Sequence, residues 1–196
     1  SGVPRPPRTA PARNEASIRQ EIILDELHRQ PVYLDKMITT DQSLAQGQGR
    51  DPECGIVGQS QAVLNLRAMI QKAAQVMADV LLIGETGTGK ELAAAAIHRS
   101  SPRAGGPFIS INCGALDENL LLDALFGHVK GAFSEAKTDR KGAFLAASSG
   151  TLHLDEIGNA SPKVQQALLR ALSVRHIRPL GSDQDIPFDA RIIAAT

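Results

Sequence analysis

The stretch Gly84-Glu85-Thr86-Gly87-Thr88-Gly89-Lys90-Glu91 sets three glycines and a lysine within eight residues. It follows an apolar run, Val80-Leu81-Leu82-Ile83, and precedes an Ala-rich stretch from Leu92 to His98. A strand, a glycine-rich loop and a helix in that order make a phosphate cradle. The loop curls so that several backbone N–H groups point at one phosphate chain. Lys90 brings a mobile positive charge, and the helix N-terminus adds its partial charge. One position departs from the general pattern: Glu91 stands where Ser or Thr ordinarily binds magnesium.

The partner of that cradle lies about 65 residues beyond Lys90, at Thr151-Leu152-His153-Leu154-Asp155-Glu156. An apolar strand ending in two carboxylates is the second half of a P-loop nucleotide site. Asp155 is expected to hold Mg2+, directly or through water. Glu156 is expected to orient and deprotonate the attacking water. Phosphoryl transfer asks little covalent chemistry of a protein, so placing metal and water is most of the task. The cofactors implied are ATP and Mg2+.

The elements that must position these groups alternate along the chain. Helices are predicted over 62–77, 91–100, 116–126 and 161–175, with Ser161 as N-cap and Pro162 in the first turn. Strands are predicted over 80–83, 108–112, 151–155 and 190–195. That alternation predicts an α/β fold with a parallel sheet, the three-layer arrangement of P-loop NTPases. Residues 1–54 read differently. Pro4, Pro6, Pro7 and Pro11 with three arginines form a basic linker. Ser17 and Gln20 suit a capping box for a short amphipathic helix that Pro31 ends. Residues 39–55 are polar and Gly-rich and lead into the main domain, taken as 55–196.

Composition narrows the function classes. Among 196 residues, 21 basic side chains balance 21 acidic ones, so bulk charge favours neither nucleic acid nor membrane. Five Phe, one Tyr and no Trp make stacking on bases an unsuitable mode of action. Cys54 and Cys113 have no zinc-type spacing and read as free thiols in a reducing compartment. No apolar run approaches the ~20 residues of a membrane span. A cytoplasmic location is expected.

Taken in order, the motifs resemble the central AAA+ domain of bacterial enhancer-binding proteins, the activators of sigma-54 RNA polymerase. In that family Glu follows the P-loop lysine, as Glu91 does here. Further matches are Ala96-Ile97-His98, Ile111-Asn112-Cys113, Leu125-Phe126-Gly127-His128, Lys130 to Ala136, Gly150-Thr151-Leu152, Leu154 to Ile157, Leu168-Leu169-Arg170 and Arg191 to Thr196. The resemblance covers about residues 55–196. It implies that Gly131-Ala132-Phe133-Ser134-Glu135-Ala136 is the loop that touches the sigma factor. A lone exposed Phe on a small-residue loop suits a transient contact. It also implies that Asn112 is a switch residue bonded to Glu156, that Ile56, Val57 and Gly58 line the adenine pocket, and that Arg178 lies near a subunit interface. The partners implied are sigma-54 holoenzyme, further copies in a hexameric or heptameric ring, and DNA through a C-terminal domain.

Departures from the family pattern are Ser134 for Thr, Glu135 for Gly, Ala95 for Arg, Ala124 for an acidic residue and His153 for Phe. They motivate a second reading, a divergent nucleotide-binding regulatory module that does not activate sigma-54. An unrelated P-loop kinase would leave Glu156, Asn112 and the Phe133 loop without roles. The family also carries a sensor Asn, arginine fingers and a lid beyond the position of Thr196. The chain is therefore expected to be a fragment, binding nucleotide poorly and hydrolysing it hardly at all alone.

Overall fold

The computed structural model describes residues 55–196 and the backbone of a short strand, β1 (Pro31–Tyr33). The remaining elements are α1 (Gln61–Gln75), β2 (Val80–Ile83), α2 (Lys90–Arg99), β3 (Phe108–Asn112) and α3 (Glu118–Phe126). Then follow β4 (Gly127–His128), β5 (Arg140–Lys141), α4 (Ala143–Ala146), β6 (Thr151–Asp155) and α5 (Pro162–Val174). The series ends with β7 (His176–Ile177), β8 (Ile186–Pro187) and β9 (Arg191–Ala195). The main sheet has the order β1-β2-β9-β6-β3, and every ladder in it is parallel.

Alternation along each strand feeds two cores. Leu81, Leu152, Leu154, Ile192 and Ala194 face a cluster with α3, α4 and α5. Val80, Leu82, Ile193 and Ala195 face the opposite cluster with α1 and α2. Helices thus cover both faces, which is the three-layer α/β architecture that parallel strands require. In α1, Leu66, Ile70 and Ala74 recur every fourth residue and form the buried stripe. Alanines at 93, 94 and 96 let α2 lie close to the sheet. Ser161 caps α5 through Val164 N–H, with Pro162 in the first turn as the sequence requires.

The four long helices and the four central strands fall where the sequence places them, within a residue or two. Six short elements do not appear in the sequence reading: β1, the two strands of the β4–β5 ribbon, α4 and the two strands of the β7–β8 hairpin fill stretches without clear periodicity. Pro31 opens β1, which pairs with Leu81–Ile83 at the sheet edge. Proline is tolerated at the first residue of an edge strand, where its missing N–H costs no ladder bond. The helix expected before Pro31, and Cys54, lie outside the described residues.

Candidate nucleotide site and partner loop

The glycine-rich loop joins β2 to α2 at the C-terminal edge of the sheet. Gly87 and Gly89 have φ of +85° and +84°, and Gly89 is the residue from which α2 starts. Thr88 closes the turn, its Oγ1 donating to Glu85 O at 2.8 Å. The Lys90 ammonium donates to the carbonyls of Gly84 and Glu85, the latter at 3.0 Å. Glu91 occupies the first turn of α2.

Parallel pairing brings Asp155 to the same edge. Strand β6 ends there, between β3 and β9, with Asn112 opposite Asp155 in register. Asp155 Oδ1 accepts from Glu156 N–H at 2.9 Å, which leaves Oδ2 for a cation. Glu156 adopts φ +52° and ψ +39°, a left-handed conformation uncommon outside glycine. Strain of this kind gathers at functional sites, and here it turns the side chain out of the strand direction. Thr86, Gly87, Gly89, Lys90, Glu91, Leu92, Asp155 and Glu156 together line one cleft of about 260 Å³. Among the described residues no group of three His, Cys, Asp or Glu could hold a metal alone. That donor set fits magnesium, which takes one or two carboxylates and completes its shell with phosphate and water.

Asn112 does not bond Glu156 in this structure. Its Oδ1 accepts from Gly114 N–H at 2.8 Å, and Glu156 Oε2 accepts from Asn159 Nδ2 at 3.2 Å. The two side chains are nevertheless neighbours across Gly114. A Cβ at position 114 would lie 2.7 Å from Glu156 Oε2 and 3.5 Å from Asn112 Oδ1. Cys113 is buried in this turn. Burial, with the Asp155 and Glu156 carboxylates adding to it, pushes the thiol up to about 12. Ile56, Val57 and Gly58 are not among the residues lining the 260 Å³ cleft. Ile56 packs instead against the core cluster under α1 and α2, and its carbonyl accepts from Arg67.

Sequence reasoning marked His153 as a departure from the family pattern but gave it no role. His153 replaces an apolar residue on β6 and is fully buried. Its ring stacks near-parallel to Phe108, with centroids 6.1 Å apart, and Nδ1 lies 3.0 Å from Ser110 Oγ. The imidazole substitutes for an aromatic ring, and burial holds its pKa below the usual value. Only its departure from the family pattern signalled it.

The Phe133 loop is a closed excursion from the end of α3. Strands β4 and β5 pair antiparallel beneath it, Gly127 with Lys141 and His128 with Arg140. The pairing needs glycine at 127, where φ is +72° and a Cβ would come within 2.1 Å of Arg140 O. Within the loop Gly131 N–H donates to Ala136 O at 2.8 Å, and Ala136 N–H to Phe133 O at 3.0 Å. Phe133 is 45% exposed at the tip. Glu135 is exposed beside it and closes a turn with Lys137 N–H at 2.8 Å. The stem is tied to the β7–β8 hairpin region, since Val129 N–H donates to Leu180 O at 3.1 Å and Leu180 N–H to Gly127 O at 2.9 Å. Arg178 lies in that region, bidentate to Asp185 at 2.8 and 3.1 Å. It lines a second cleft, of about 420 Å³, floored by Leu122, Phe126 and Ile177.

Residues 56–196 match the family described as the Sigma-54 interaction domain. The chain belongs to that family. It is 52% identical over 141 residues to the transcriptional regulatory protein GlrR of Escherichia coli K12, covering 72% of this chain and 32% of the relative. Against the Nif-specific regulatory protein of Rhodobacter capsulatus the identity is 52% over 142 residues, covering 72% and 24%. The chain thus spans a third or less of the length of these relatives. Among solved structures, NtrX from Brucella abortus superposes with a TM-score of 0.66 at 33% identity, covering 74% of this chain and 31% of that one. A structure of NtrX in complex with ATP gives 0.65 at 33% identity, covering 72% and 30%. The parallel α/β sheet of this sigma-54 interaction domain is the fold it shares with NtrX. Among its described residues no helix is long and apolar enough to cross a membrane.

Proposed function

We propose that this chain is the ATP-binding and ATP-hydrolysing part of a sigma-54-dependent transcriptional activator, working in the cytoplasm as a ring of copies. The observation that carries the reading is the convergence of Lys90, Asp155 and Glu156 on one cleft at the sheet edge. NtrX, a relative of the same fold, has been solved with ADP and with ATP. The loop N–H groups of residues 84–91 and the Lys90 ammonium hold the phosphates. Asp155 Oδ2 is the ligand offered to Mg2+, which when bound would neutralise charge on the phosphate oxygens. Glu156 holds the attacking water and takes its proton. Asn112, one residue from the Gly114 turn that abuts Glu156, reports the state of that carboxylate to the rest of the domain. The 131–136 loop, with Phe133 at its tip, meets the sigma factor. Arg178 faces a neighbouring copy, and DNA is contacted by a further domain of the longer protein. Ile56, Val57 and Gly58 border the adenine.

Family membership favours activation over a module that ignores sigma-54, and one experiment separates them. ATP turnover by the full-length protein is expected to fall about a hundredfold or more in Glu156→Ala, the scale of a lost general base. Equal turnover would remove Glu156 from the mechanism. Capture of sigma-54 in the presence of an ATP transition-state analogue is expected for the wild-type protein. Turnover without capture would favour the second reading.

A further inference from the structure

The stem of the Phe133 loop contains a polar cluster, built on one buried carboxylate, that the nucleotide cleft does not use. Asp123, on α3, is 7% exposed. His128 Nδ1 lies 2.6 Å from its Oδ1, and Arg140 Nη1 donates to its Oδ2 at 2.6 Å. A carboxylate only accepts, so Nδ1 carries the proton and the imidazole donates. His128 and Arg140 are partners in register on β4 and β5. One buried carboxylate therefore clasps both strands of the stem and ties them to α3.

The cluster ends on the loop tip. The His128 ring meets Phe133 edge-to-face, with centroids 4.8 Å apart and planes at 67°. Such a contact depends on the orientation of the imidazole plane, because the ring quadrupole rewards an edge presented to a face. The Asp123 bond to Nδ1 fixes that plane. Among the other aromatic contacts, Phe126–Phe144 and Phe144–Phe188 belong to buried rings. Phe133 is half exposed, and His128 is the ring on which it rests.

We propose that Asp123 is the positioning residue of the Phe133 loop. Through His128 it holds the Phe133 ring against the stem, and Arg140 secures the second strand to the same carboxylate. Loosening this clasp frees the ring for a partner. The identity of that partner rests on the reading of residues 131–136 given above; the clasp itself does not.

The test uses the absence of tryptophan in the chain. Phe133→Trp installs a single tryptophan at the tip, and acrylamide quenching of its selectively excited emission reads its accessibility. Asp123→Asn keeps the shape but turns an N–H2 toward Arg140 or His128. In the Phe133→Trp chain it is expected to raise the quenching constant about twofold, as the edge contact is lost. His128→Leu, which leaves Asp123 paired with Arg140, is expected to do the same, and it answers the question if the Asn variant unfolds by circular dichroism. A quenching constant equal to that of the parent in a folded Asp123→Asn variant, or in His128→Leu, overturns the clasp. Sigma-54 capture by the intact wild-type protein is measured alongside. Its failure would count against the partner reading, while the quenching result would still decide the clasp.

Discussion

At the scale of single residues, side chains that packing would not select were the ones legible in the sequence. A lysine after three glycines and an Asp-Glu pair closing an apolar strand serve no core, and the fold brings them to one cleft. Asn112 was less legible, because a strand-end amide has several donors within reach and only coordinates reveal that Gly114 N–H takes it. Asp123 gave no signal at all: one carboxylate in a run of leucines reads as a helix surface, yet it is buried under a loop stem. His98 behaves similarly and supports a prediction. It is 5% exposed, with Nδ1 2.9 Å from Thr151 Oγ1. Burial chiefly, then the charges of Arg99 and Arg191, hold its pKa below the ordinary 6.5. The unfolded chain accepts a proton near pH 6.5 while the folded chain resists it. Stability linked to His98 is thus complete above that pH and is lost as pH falls toward the depressed folded value. The melting temperature is expected to drop between pH 7 and pH 5. His98→Gln should make that drop shallower in scanning calorimetry, and an identical slope would remove His98 as its source.

At the scale of elements, the sequence pattern identified, among the described residues, every helix longer than eight residues and every strand longer than three. Two-residue ribbons such as β4–β5 and β7–β8 carry no period to read; they are set by a glycine, a turn and a carboxylate. How α1 is anchored was equally invisible. Arg191 on β9 is 2% exposed, and it donates to Ala73 O at 2.6 Å and Ala78 O at 3.1 Å. It thereby satisfies carbonyls at the C-terminal end of α1 and in the turn that leads to β2. Asp79 lies beside it, accepting from Ile192 N–H at 2.9 Å and from Arg175. Arg191→Met keeps most of the stem volume but leaves both carbonyls without a donor. A loss of about 2–3 kcal/mol is expected from urea unfolding, the range for hydrogen bonds made by a charged group. A loss below ~0.5 kcal/mol would mean that water replaces the guanidinium there.

At the scale of the whole molecule, the sheet order could not be read from the alternation of elements, which specifies parallel strands but not their neighbours. The structure sets β9 between β2 and β6. Those two strands share no ladder, so among the described strands the backbone ladders that join β2, on the P-loop side, to β6, on the Asp155 side, run through β9. Removing residues 191–196 is therefore expected to abolish cooperative thermal unfolding by circular dichroism; a sharp transition in the shortened chain would show that the helices alone hold the halves together. The same arrangement has a consequence during synthesis. Ribosomes add about 5–20 residues per second, so the ~40 residues between β6 and the end of β9 take about 2–8 s. For that interval the nascent chain presents two facing strand edges with an empty slot between them. Edges of this kind pair readily with strands from other chains. The central position that makes β9 the keystone of the finished site also makes its late arrival the moment at which a growing chain is most open to misassembly.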